Sequence, residues 1–268
     1  MAVLSMQFYS RSLKSHTVIS AVLPSETSSL EPDGVRFYEK GKKYQVLYLL
    51  HGATGDCNVW LYNTKIAFYA QQRKLAVIFA SVQNSFYVDM KYGPAYHTFL
   101  TEELPQVAKA FFPISERTEN TFIGGISMGG YGAVLAGLSK PEQYGRIGSI
   151  SGVLDVVTLT DGTSPVLTKE MVTAAFGEHP SLEKSEYDLM ERMRNMKTAG
   201  IAVPPVYQCC GTEDFLYSCN LRCRDAMKEA GVELTYEEGP GAHEWEYWDK
   251  AVCGFLDWLP LKRKLVEE

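Results

Sequence analysis

The strongest constraint on this chain's fold is a series of short apolar runs separated by helical patterns. The runs are Gln45 to Leu50, Leu75 to Ser81, Asn120 to Gly124, Ile147 to Ser151, Val203 to Cys210 and Val232 to Glu238. Each has the length of a strand, and the stretches between them space their apolar residues by three and four. Buried strands alternating with helices build a mostly parallel sheet covered on both faces. Ahead of them, about Ala2 to Tyr9 and His16 to Leu23 are β-rich and closely joined, which predicts an N-terminal antiparallel pair. A polar turn from Pro24 to Gly41, with Pro32-Asp33-Gly34 inside it, leads into the first parallel strand.

The last helix is the most legible. Trp245, Trp248, Val252, Phe255 and Leu259 recur at helical spacing, Pro260 limits the helix, and Lys262, Arg263 and Lys264 stand near its negative end. That stripe reads as core packing. From about Val153 to Gly200 the alternation breaks. Loop residues (Asp161-Gly162, Ser164-Pro165, His179-Pro180) precede and interrupt an amphipathic stretch carrying Leu182, Leu189, Met193 and Met196. This segment is expected to be a lid-like insertion after a central strand, its methionines forming either an adaptable lid or the core face of one helix. With no repeat and no composition shift, 268 residues are expected to form a single domain, residues 1–268.

A net charge of -6 lacks the basic footprint of a nucleic-acid binder. No apolar run approaches the ~20 residues that cross a bilayer, and the first residues do not resemble a secretory signal, so no membrane partner and a cytoplasmic location are expected. The six cysteines, at 57, 209, 210, 219, 223 and 253, are expected to be reduced and mostly buried. Their spacing supplies no second ligand cluster, so no metal and no cofactor is expected.

The chemistry centres on Gly125-Ile126-Ser127-Met128-Gly129, a G-x-S-x-G pattern. Chance alone gives such a pentapeptide in on the order of one chain in ten of this length, so its setting decides. It follows the β-rich run Thr121 to Gly124 and precedes the small-residue helix Tyr131 to Gly137. A serine on such a strand-to-helix turn is forced into strained backbone angles. Flanking glycines let the two elements approach, and the hydroxyl is presented at the positive end of a helix.

A serine hydroxyl needs a base to take its proton and a third group to orient that base. In this architecture both follow the serine, each after a later strand. After Val203 to Cys210 comes Gly211-Thr212-Glu213-Asp214, in which Asp214 is favoured over Glu213 as the acid. The next strand leads to Gly239-Pro240-Gly241-Ala242-His243, which delivers His243 as the base. His16, His97 and His179 read as surface or packing residues. The oxyanion donors are expected to be the N–H groups of Met128 and of Ala53, with Gly52 as second choice, in the loop Leu50-His51-Gly52-Ala53-Thr54-Gly55. His51 reads as an orienting hydrogen bonder there. Two look-alikes fail on their partners. Ser181-Leu182-Glu183-Lys184 matches S-x-x-K alone and reads as a solvated helix face, and His243-Glu244 lacks the second histidine of a zincin.

Leu49-Leu50-His51-Gly52, Trp60, Ser85-Phe86-Tyr87 with Asp89, Glu102 to Pro105, Gly124 to Ala133, Gly211 to Tyr217 and His243-Glu244-Trp245 together resemble the esterase D superfamily of α/β-hydrolases. Within it the likeness is greatest to bacterial tributyrin esterases, relatives of feruloyl and acetyl-xylan esterases and of S-formylglutathione hydrolase. The resemblance spans nearly the whole chain. It implies an α/β-hydrolase fold and a serine carboxylesterase for short acyl chains, with Ser127, Asp214 and His243 as triad and Met128 and Ala53 at the oxyanion hole.

The expected reaction is hydrolysis of a small-molecule ester through an acyl-enzyme, rising with pH as His243 becomes a base. Alternatives on the same scaffold are an acyltransferase, a thioesterase, and a silent ligand-binding fold. Trp60, Phe86 and Tyr87 are expected to wall the substrate cleft, because their loops should lie at the carboxyl ends of the central strands. The sequence leaves a homo-oligomer open.

Overall fold

A computed structural model describes residues 1–26, 39–158, 167–178 and 181–267. Its strands are β1 (Ala2–Ser10), β2 (Ser15–Leu23), β3 (Lys42–Lys43), β4 (Gln45–Leu50), β5 (Leu75–Ala80), β6 (Thr121–Ile126), β7 (Arg146–Ile150), β8 (Val206–Gly211), β9 (Leu234–Gly239) and β10 (Val266–Glu267). The helices are α1 (Val59–Asn63), α2 (Ile66–Arg73), α3 (Tyr96–Thr98), α4 (Leu104–Phe111), α5 (Met128–Ser139), α6 (Lys169–Phe176), α7 (Leu189–Ala199), α8 (Tyr217–Ala230) and α9 (Trp245–Trp258). Pro32-Asp33-Gly34, Asp161, Gly162, Ser164, Pro165 and His179-Pro180 lie outside the described residues.

Eight strands form one sheet in the order β1-β2-β5-β4-β6-β7-β8-β9. The first two pair antiparallel with each other, and β2 with β5; every later pairing is parallel. This is the mostly parallel α/β-hydrolase arrangement with its N-terminal antiparallel hairpin. Alternation along the strands splits the core into two layers. Val46, Tyr48 and Leu50 face one layer with Ile123, Ile147 and Val206, under α4, α5, α7 and α8. Leu47 and Leu49 face the other with Phe122, Ile126 and Ile150, under α1, α2 and α9. The α9 stripe is core packing at Trp248, Val252 and Phe255, all buried.

Strand ends differ from expectation where local chemistry dictates. The strand expected from Val203 begins at Val206, because Pro204 and Pro205 cannot donate to a ladder. β6 runs past Gly124 to Ile126.

In the insertion, Leu189, Met193 and Met196 of α7 are buried, the core face of one helix. Asp188 caps this helix, its side chain accepting from Glu191 N–H at 3.0 Å, and Gly200 ends it in the left-handed region. The segment lies against α5, where Tyr131 donates to the Tyr187 carbonyl (3.0 Å) and Arg192 to Ser139 (3.0 Å). Ser181 to Lys184 is a turn rather than a helix face; Leu182 is buried and Lys184 takes a positive φ of 59°. All six cysteines are free, and all but Cys253 are buried. No helix among the described residues is long and apolar enough to cross a membrane.

Candidate active site

Ser127 sits where β6 turns into α5, with φ +52° and ψ −120°, a conformation that costs on the order of 1–3 kcal/mol for a residue with a side chain. The surroundings hold it there. Ser127 N–H donates to the Ile150 carbonyl at 3.0 Å, and its own carbonyl accepts from Gly130, Tyr131 and Val153 N–H groups. The two flanking glycines are required by contact. A Cβ at Gly125 would stand 2.6 Å from the Gly129 backbone, and one at Gly129 would stand 2.6 Å from the His51 carbonyl oxygen. Turn, helix and the loop after β4 are therefore packed backbone to backbone.

His243 and Asp214, the base and acid expected from the sequence, arrive from the ends of β9 and β8. His243 Nε2 lies 3.0 Å from Ser127 Oγ, and its Nδ1 lies 2.9 and 3.1 Å from the two carboxylate oxygens of Asp214. Asp214 is buried and accepts a further bond from Leu216 N–H at 2.8 Å. With Nδ1–H donated to the carboxylate, Nε2 is left as the acceptor for the serine hydroxyl. The ring packs against Phe215 (centroids 4.6 Å apart) and Trp248 (4.8 Å, edge to face). Glu213, the competing acid, faces away and binds the Gly241 N–H instead.

The loop after β4 is held by its carbonyls. Trp60 Nε1–H donates to Leu50 O (3.0 Å), and Tyr87 O–H donates to His51 O (2.9 Å). Val82 N–H donates to His51 Nε2 at 3.1 Å, so the ring's hydrogen is on Nδ1, which donates to Gly52 O at 2.6 Å. Burial lowers the His51 pKa and keeps this ring neutral, the state in which Nε2 can accept. The planar Gly52–Ala53 peptide points its carbonyl and its N–H in opposite directions. A carbonyl fixed on His51 therefore turns Ala53 N–H the other way. Gly52 and Ala53 both line the cleft beside Ser127, and among the described residues neither Ala53 nor Met128 N–H is engaged by a backbone acceptor. Met128 opens α5, so its N–H belongs to the positive end of that helix.

The cleft has a volume of about 240 Å³. Val59, Asn63, Ile126, Trp245 and Trp248 wall it around Ser127 and His243. The expectation that Trp60, Phe86 and Tyr87 wall it is corrected: none of the three lines it, and each is no more than 1% exposed. Trp60 and Tyr87 are spent as hydrogen-bond donors to the loop behind, and Phe86 packs on Tyr131 and Phe176. No described residue of the insertion lines the cleft either. The residues the sequence reading missed are Trp245 and Trp248. Their signal was proximity: a helix beginning two residues after the base must present its first turn to the base's own cleft. Among the described residues no group of three or more His, Cys, Asp or Glu side chains is placed to hold a metal ion.

Comparisons with known proteins place the chain among esterases. The sequence model of the family described as "Putative esterase" matches residues 29–259. An acetyl esterase of Caldicellulosiruptor saccharolyticus is 32% identical over 267 residues, covering 97% of this chain and 98% of the relative. The substrate-bound structure of fluorophosphonate-binding serine hydrolase F of Staphylococcus aureus superposes with a TM-score of 0.86 at 29% identity, covering 96% of this chain and 98% of that one. An S-formylglutathione hydrolase from the same organism gives a TM-score of 0.83 at 29% identity, with the same coverage.

Proposed function

The chain belongs to the esterase family and is a serine carboxylic ester hydrolase; on that premise we propose that Ser127, His243 and Asp214 are its triad and short-chain acyl esters its substrates. The observation that carries this reading is the unbroken hydrogen-bond chain from Ser127 Oγ through the imidazole to the Asp214 carboxylate, opening on the cleft. Ser127 Oγ attacks the ester carbonyl while His243 Nε2 takes its proton. Ala53 and Met128 N–H groups receive the charge that forms on the carbonyl oxygen, each worth about 3 kcal/mol at the transition state. His243 returns the proton to the departing alkoxide, and water, activated by the same nitrogen, releases the acid. The six unpaired cysteines support action in a reducing compartment, the cytoplasm.

The restriction to short acyl chains rests on the small cleft and its two tryptophans. A panel of p-nitrophenyl esters from acetate to octanoate, with feruloyl and acetylated sugar esters beside it, tests it. We expect kcat/KM to peak at acetate or butyrate; a maximum at octanoate refutes the assignment. The likeness to an S-formylglutathione hydrolase favours one second reading, cleavage of a thioester by the same groups. Including an S-acyl glutathione in the panel separates the two by kcat/KM.

His51 carries a separate expectation. Replacing it with Ala removes the shorter of the two bonds to the Gly52 carbonyl and leaves only the one from Gly55 N–H (3.2 Å), so the Ala53 N–H is held less firmly and kcat on p-nitrophenyl acetate should fall about tenfold with a smaller change in KM. Unchanged kcat would show that the donor is fixed by other contacts.

A further inference from the structure

We propose that Glu213 is a positioning residue that clasps the base-bearing loop to the acid-bearing loop, an inference that rests on the assignment of His243 as base and Asp214 as acid. The two loops continue the parallel ladder of β8 and β9, whose last pair is Gly211 with Gly239. Beyond it, Thr212 N–H donates to Gly239 O at 2.9 Å and Glu213 N–H to Gly241 O at 3.1 Å. The Glu213 carboxylate then reaches back and accepts from Gly241 N–H. Both polar groups of the Gly241 backbone are thus held by the residue immediately before the acid.

That hold matters because of where Gly241 stands. It precedes His243 by two positions in the short turn from β9 to α9, and its φ of +147° belongs to the region that favours glycine. A residue with so much freedom next to a base that must stay within hydrogen-bonding reach of two partners needs an external constraint. The carboxylate supplies one. Its other oxygen accepts from Thr212 Oγ1 at 2.9 Å, which sets the rotamer. The bond from Gly241 and the one from Thr212 hold the Glu213 carboxyl below its ordinary range, so the acceptor is ionised wherever a neutral histidine can work. Asp214 orients the imidazole ring; Glu213 orients the chain that bears it.

Glu213→Ala and Glu213→Gln in the full chain test the clasp by two measurements, steady-state kinetics on p-nitrophenyl acetate and hydrogen exchange at the Gly241 amide. In the Ala variant we expect that amide to exchange about tenfold faster and kcat to fall about tenfold, with KM within about twofold of wild type. The Gln variant keeps a carbonyl oxygen for Gly241 N–H and should recover most of both. Wild-type exchange and wild-type kcat in the Ala variant overturn the proposal, as does a Gln variant no better than Ala, or a loss lying wholly in KM. Ser127→Ala is the control on the underlying reading. If it hydrolyses the ester like wild type, the triad assignment fails, while the exchange at Gly241 still decides whether the clasp exists.

Discussion

Ser127→Ala is expected to lower kcat for p-nitrophenyl acetate on the order of a millionfold while leaving KM and the melting temperature close to wild type. The substitution removes one oxygen and keeps the Cβ, so the strained backbone at φ +52° and its bonds to Ile150, Gly130 and Val153 are unaltered. What disappears is the hydroxyl that His243 Nε2 meets at 3.0 Å. Because the members of such a set act as a unit, the whole nucleophilic contribution goes at once, and only the oxyanion donors and cleft binding remain to speed attack by water. The check is pre-steady-state kinetics on both proteins: wild type should show acyl-enzyme accumulation, the variant none. A variant keeping more than about a hundredth of wild-type kcat would point to a different nucleophile.

Asp214→Asn should lower kcat about ten-thousandfold with little effect on binding. The amide occupies the same buried space and still offers an oxygen to Leu216 N–H, so the loop keeps its shape. Its NH2, however, faces His243 Nδ1 as a donor. The ring then carries its hydrogen on Nε2, the atom that must receive the serine proton. Glu213 cannot take over, since its carboxylate is engaged on Gly241 N–H. Steady-state kinetics across pH, with circular dichroism to verify folding, decide the matter. A loss smaller than about tenfold would mean that the imidazole is oriented without Asp214.

The sheet was legible because buried parallel strands leave a local mark: the runs from Gln45 to Cys210 are short and largely apolar, while the edge strand β9 shows instead the alternation of a half-exposed strand. The Ser127 turn was legible for the same reason, since the close approach of β6, α5 and the loop after β4 demands glycine at 125 and 129. His243 and Asp214 followed from chain order. The cleft walls were not legible. Trp60 and Tyr87 stand in loops at the right end of the sheet, yet the sequence does not say that an indole N–H or a phenol O–H is committed to the Leu50 or His51 carbonyl. Trp245 and Trp248 show the converse, a helical stripe whose spacing reports burial equally well whether the buried side faces core or cleft.

The order of the sheet has a consequence for the protein's own biogenesis. The proposed nucleophile and oxyanion donors all precede β7, whereas the proposed acid and base follow β8 and β9, and 116 positions separate the serine from the histidine. A chain emerging from the ribosome therefore carries its reactive hydroxyl long before anything can strip that hydroxyl of its proton. On the proposed triad, turnover waits until β8 and β9 have joined the sheet and brought Asp214 and His243 to Ser127.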